Sequence, residues 1–220
     1  MKKVLVLTAL IASLMAFTLA PQKQRIVFFG DSITQAGVKP GGYITVLGDL
    51  LKKKNIQDEL IGAGIGGNKV YDLYLRMEDD VLAKNPTTVV VWVGVNDVWH
   101  KKTSGTGTDA DKFEKFYNAL IKKLQAKNIK VLICTPAAIG EKTDFTNELD
   151  GDLNRYAVII RQIAKNNNVE LIDLRKAFLE YNLANNPENK AKEILTTDGV
   201  HLNDKGNQLV AEQMLKALYK

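Results

Sequence analysis

Short apolar runs alternate with longer stretches in which apolar residues recur every third or fourth position, from residue 25 to the end of the chain. Arg25 to Phe29 reads as a buried strand, and Tyr43 to Lys54 as a helix with Ile44, Leu47, Leu50 and Leu51 on one face. A second strand is expected within Gln57 to Ile61, followed by a helix over Tyr71 to Ala83. Thr88 to Val93 is a β-branched run too short for anything but a central strand. Asp109 to Lys127 repeats Phe113, Phe116, Leu120 and Leu124 at helical spacing, and Lys130 to Thr135 is a fourth strand. Leu153 to Asn166 is a further helix, Val169 to Ile172 a fifth strand, and Asp204 to Tyr219 a closing helix.

Strands alternating with helices predict an α/β fold with a parallel sheet covered on both faces, because each crossover helix must bury its apolar stripe on the sheet. Five strands fit one three-layer α/β/α domain over residues 21–220, with no linker, internal repeat or low-complexity tract. The Gly-rich and polar stretches, residues 30–42, 62–68, 94–108, 136–152 and 196–206, mostly follow strand ends. In open α/β sheets that carboxyl edge is where ligands bind.

Residues 1–20 do not belong to this pattern. Lys2 and Lys3 precede the apolar run Val4 to Phe17, and Thr18-Leu19-Ala20 ends on a small residue before Pro21. These are the parts of a secretory signal peptide, which predicts an exported protein, periplasmic or extracellular. The alternative is a membrane anchor, but a run of roughly 14 to 17 residues is at or below the ~20 that span a bilayer. No stable membrane insertion is expected after cleavage.

Composition narrows the chemistry. The 220 residues hold 30 Lys+Arg against 25 Asp+Glu, a net charge of +5 that becomes +3 without the leader's two lysines. The lysines are scattered among acids, so no nucleic-acid partner is expected. A single cysteine, Cys134, excludes an intramolecular disulfide and Cys-rich zinc frameworks. The two histidines, His100 and His201, lie in no metal-ligand spacing, so neither a metal nor a cofactor is expected.

Four blocks carry candidate chemistry. Gly30-Asp31-Ser32-Ile33-Thr34 leaves strand one, where Ser32 could be a nucleophile projecting over the sheet edge, or Ser and Asp could simply cap a helix. It is not a Gly-x-Ser-x-Gly elbow, since Asp31 precedes Ser32 and Thr34 stands two beyond it. Gly62-Ala63-Gly64-Ile65-Gly66-Gly67-Asn68 leaves backbone N–H groups uncovered, which suits an oxyanion cradle. Its bare Gly-x-Gly-x-x-Gly spacing also fits a dinucleotide loop, but it follows the second strand of a chain expected to be exported. Gly94-Val95-Asn96-Asp97 places an amide that could donate to developing negative charge, or is an ordinary turn. In Asp198-Gly199-Val200-His201, the Asp can accept from one imidazole nitrogen and leave the other as a base toward a serine hydroxyl.

In this order at four strand-edge loops, the blocks resemble the SGNH or GDSL family of serine esterases and lipases, over essentially the whole chain from Ile26 onward. The resemblance implies a flavodoxin-like sheet of order 2-1-3-4-5. It implies Ser32 as nucleophile, His201 as base and Asp198 as its orienting acid, with an oxyanion hole from the N–H groups of Ser32 and Gly67 and the amide of Asn96. Two departures stand out: Ile33 where the family often has leucine, and Leu202 where many members have proline.

Among the remaining residues, Asp31, Trp99 and His100 are candidates for substrate binding, although a structural role for Asp31 and Asp97 fits as well. Trp92 and Cys134 fall inside strands and are assigned to the core. The expected activity is ester hydrolysis through an acyl-enzyme on a small ester or acetylated glycan, with short O-acetyl groups favoured by short pocket loops. Alternatives are a lysophospholipase or thioesterase, an acyltransferase on the same site, and an inactive glycan-binding module.

Overall fold

The computed structural model describes residues 23–220, and the predicted leader, residues 1–20, lies outside them. Five parallel strands form one sheet in the order β2-β1-β3-β4-β5: β1 (Arg25–Gly30), β2 (Glu59–Gly64), β3 (Thr88–Trp92), β4 (Lys130–Cys134) and β5 (Glu170–Ile172). This is the order implied by the family resemblance. Among the described residues eight α-helices connect and close it: α1 (Ser32–Gly37), α2 (Tyr43–Lys53), α3 (Val70–Asp80), α4 (Val95–Thr103), α5 (Ala110–Gln125), α6 (Asp150–Asn167), α7 (Leu174–Asn185) and α8 (Asp204–Leu218).

The three layers follow from the two-residue period of the strands. Ile26, Phe28, Val90, Trp92, Leu132 and Cys134 point to one face and pack with α2, α7 and α8. Val27, Phe29, Val89, Val91, Val131 and Ile133 point to the other and pack with α3, α5 and α6. Trp92 and Cys134 are buried as expected, and Trp92 meets Tyr43 edge-on at 5.5 Å between ring centroids. Each fully buried aliphatic or aromatic side chain contributes about 1.5–3 kcal/mol, so two filled faces supply a core that needs no disulfide.

Two helices, α4 and α7, are not predicted by the pattern, and α1 realises the helix-cap alternative for Asp31 and Ser32. Asp31 caps α1, its carboxylate accepting from Ile33 N at 3.0 Å, so Ser32 is the first helical residue. The Gly94–Asp97 block, expected as a loop, opens α4 instead. Directly after β5, Asp173 caps α7 by accepting from Lys176 N. The second strand also runs further than expected, so Gly62 and Gly64 belong to β2. Gly64 is a contact requirement: a Cβ there would sit 2.1 Å from Gln35 N and 2.7 Å from Asp31 O. Its bare Cα lets the first turn of α1 lie directly on the end of β2.

Two of the buried carboxyls, Asp31 and Asp97, have raised pKa values. Asp31 is pushed up to about 7 by burial, reinforced by the nearby Asp97 and opposed by Ile33 N–H and His201. Burial likewise raises Asp97 to about 7, against the Val70 N–H and the charge of Lys69. Asp97 Oδ1 accepts from Val70 N at 3.2 Å, which fastens the start of α3 to α4, while Oδ2 has no hydrogen-bond partner.

Two outcomes follow. Gly64→Ala forces backbone movement in the Ser32 helix and is expected to cost about 1–3 kcal/mol of stability and to lower turnover, read by chemical unfolding and steady-state rates. Asp31→Asn keeps the acceptor for Ile33 N and removes the titration. An acid whose folded pKa is raised holds its proton longer in the folded state, so its stabilising contribution is full below about pH 4 and lost as pH rises toward about 7. The stability of the native protein relative to Asp31→Asn should therefore fall by on the order of a few kcal/mol across that window and level off above it. A pH-independent difference in denaturant midpoints would contradict the raised pKa.

Candidate active site

Parallel strands deliver their carboxyl ends to one edge, and the four blocks meet there. Ser32 Oγ lies 2.9 Å from His201 Nε2 although 169 residues separate them. His201 Nδ1 lies 2.7 Å from Asp198 Oδ2. The other Asp198 oxygen accepts from the backbone N–H groups of Val200 and His201, at 2.9 and 2.8 Å, which closes the turn over Gly199. Burial works against the Asp198 charge, but the hydrogen bonds from His201 and Val200 prevail and hold its carboxyl below the ordinary range. An ionised Asp198 can only accept, so the imidazole proton sits on Nδ1 and Nε2 is free to accept from the Ser32 hydroxyl.

The loop bearing this pair is braced from β4's side of the sheet. The buried Glu141 carboxylate accepts from Ile194 N at 2.9 Å and Leu195 N at 2.7 Å, and Gly140 N donates to Gly199 O at 2.9 Å. Thr197 N in turn donates to His201 O at 2.8 Å.

The residues expected to donate to an oxyanion lie in the second and third blocks, which are joined to each other through Asn68 O and Asn96 Nδ2. Gly67 adopts φ +77°, a left-handed conformation that a side chain would strain. Asn96 is buried, and its Nδ2 donates one hydrogen to Asn68 O at 3.1 Å, leaving the second unused. A Cβ at Gly66 would come within 3.9 Å of Ser32 Cβ, so the glycine block and the serine are neighbours. Gln35 Oε1 accepts from Gly66 N, and Lys69 Nζ donates to Gly67 O.

Of the three candidate substrate contacts, two border this centre. The Trp99 ring lies 6.4 Å from the His201 ring, edge to face, and His100 Cε1 is 3.7 Å from the position of a Cβ on Gly67. Burial and then the charge of Lys69 lower the His100 pKa, favouring a neutral imidazole. Asp31 differs: it is 2% exposed and occupied in capping α1, so it has no surface to offer a substrate. Pattern reading assigns no role to Glu141 or Arg76, nor to the side chain of Asn68 at the end of the glycine block, each recognisable only by its tertiary partners. Among the described residues no cluster of three or more His, Cys, Asp or Glu could hold a metal ion, and no helix is long and apolar enough to cross a membrane.

Comparison with known proteins agrees with this architecture. The model of the GDSL-like lipase/acylhydrolase family matches residues 28–209. The crystal structure of the acetyl xylan esterase AlAXEase superposes with a TM-score of 0.87 at 69% identity, over 88% of this chain and 99% of that one. The acetylxylan esterase of Geobacillus stearothermophilus is 26% identical over 213 residues, covering 89% of this chain and 94% of its own. Its crystal structure superposes with a TM-score of 0.76. Structures of that enzyme with a serine or a histidine replaced by alanine are described as catalytic mutants. The chain belongs to the GDSL-like lipase/acylhydrolase family and is a carboxylic ester hydrolase.

Proposed function

We propose that this chain is an exported acetyl esterase that removes O-acetyl groups from xylan-type carbohydrates by Ser32-His201-Asp198 catalysis. The observation that carries the mechanism is the unbroken hydrogen-bond relay from Ser32 Oγ through His201 to Asp198. Likeness to an acetyl xylan esterase at 69% identity supports the substrate class. The sequence of residues 1–20 supports export.

In this reading Ser32 Oγ attacks the acetyl carbonyl carbon as its proton passes to His201 Nε2. The carbonyl oxygen takes up the negative charge between the N–H groups of Ser32 and Gly67 and the free Asn96 hydrogen. Collapse breaks the bond to the sugar oxygen, which takes the proton from His201 and leaves as an alcohol. Water then attacks the acetyl-enzyme, gives its proton to Nε2, and acetate departs as Ser32 regains a proton. Asp198 stays ionised throughout, fixing the tautomer and balancing the imidazolium. Trp99 and His100 form the wall against which the sugar ring packs.

Three measurements bear on this. Ser32→Ala should abolish covalent labelling by an organophosphonate; retained labelling at the same site would defeat the nucleophile assignment. Asn96→Ala is expected to lower kcat roughly a hundredfold or more with the fold intact, whereas near-native turnover would remove Asn96 from the oxyanion hole. Across p-nitrophenyl esters the acetate should be the best substrate, and acetate release from acetylated xylo-oligosaccharides should be lost in Ser32→Ala. A preference for chains of eight carbons or more would point to a lipid acyl hydrolase instead.

A further inference from the structure

Arg76 projects from α3, which supplies no residue to the relay, yet its guanidinium reaches three parts of the site. Nη2 donates to Gly30 O at 2.7 Å and to Ala63 O at 3.0 Å, joining the ends of β1 and β2. Nε donates to Asn68 Oδ1 at 2.6 Å, and Nη1 to Asp80 Oδ2 at 2.7 Å. The guanidinium carbon stands 4.5 Å from the centre of the Phe29 ring, and the side chain is 15% exposed. Gly30 lies two residues before Ser32, so one planar group touches both the strand that delivers the nucleophile and the loop that follows Gly67.

Asn68 is the junction in this arrangement. Its side chain is held by Arg76, and its carbonyl takes one of the two Asn96 amide hydrogens. An amide is planar, so the direction of one N–H fixes the other. The position of the Asn68 carbonyl therefore decides where the remaining Asn96 N–H points. We propose that Arg76 is a positioning residue for ester hydrolysis: acting through Asn68, it sets the Asn96 amide and keeps the oxyanion hole in register with Ser32. The proposal rests on the assignment of Asn96 to that hole. Lysine cannot take over, because a point charge lacks the fork that satisfies two carbonyls and an amide oxygen at once.

The test is a double-mutant cycle on p-nitrophenyl acetate, with thermal unfolding to verify that each variant is folded. Arg76→Lys and Asn68→Ala are each expected to lower kcat about tenfold, with KM changed less than about twofold, as befits an interaction that matters in the transition state. Asn68→Ala removes a single side-chain hydrogen bond and serves where Arg76→Lys is too unstable to purify. In an Asn96→Ala background both changes should lose most of their effect, to about twofold or less, because the group they position is gone. Multiplication of the full effects in the double variants would overturn the proposal while leaving Asn96 in its role, as would native kcat in folded Asn68→Ala. Native kcat in Asn96→Ala alone would instead overturn the oxyanion assignment and this proposal with it.

Discussion

The parallel direction of the five strands is the constraint on which everything else rests. A parallel sheet places all its carboxyl ends on one edge, so segments remote in sequence are delivered to a common place without any being long. Ser32 follows β1, Gly67 follows β2, Asn96 follows β3, and Asp198 and His201 precede α8. The alternating inward faces of Ile26 to Phe29 lock the register of β1 against both neighbours, since a one-residue slip would exchange every residue between the two apolar layers. Ser32 is thereby held relative to both the glycine block and Asn96 by the core itself.

Within that frame the acids divide by environment. Asp198 accepts three hydrogen bonds at a half-exposed turn and is held ionised, beside the imidazole. Asp31 and Asp97 are buried, and burial raises both to about 7, so that they hold their protons to higher pH than an exposed acid. Below about pH 7 the carboxylate that is fully ionised beside His201 is therefore Asp198, and a positive charge on the imidazole would be balanced there. Asp31 and Asp97 act instead as mechanical parts, one capping the serine helix and the other tying α3 to α4.

Much of this was legible in the chain, and the exceptions share a cause. Strand period and helical spacing express burial, which is a one-residue property, and they locate all five strands and helices α2, α3, α5, α6 and α8. The Gly94–Asp97 block reads as a loop because glycine, asparagine and aspartate are turn vocabulary, although Val95, Val98 and Trp99 have helical spacing. Helix α7 carried the same signal in Leu174, Ala177, Phe178 and Tyr181, but it starts so close to β5 that the two patterns merge. The four chemical blocks were visible because their spacing is local. Arg76, Asn68 and Glu141 were not, because what distinguishes them from surface arginines, asparagines and glutamates is the identity of carbonyls and N–H groups tens of residues away.

Those long-range polar contacts also explain how a chain with one buried cysteine keeps its relay in place. The His201 loop is not part of the sheet and carries only an isolated bridge, Thr196 to Leu202, so beyond the packing of Leu195 and Val200 little limits its freedom. Glu141 removes that freedom by accepting from two successive backbone N–H groups, while Gly140 holds Gly199 in the turn between Asp198 and His201. Buried carboxylate-to-backbone bonds of this kind are charge-assisted and directional, and breaking one leaves a desolvated charge behind. The loop is therefore released only at a cost comparable to local unfolding. Since Ser32 and His201 meet at a single hydrogen bond, that cost is what keeps the two side chains within reach of each other.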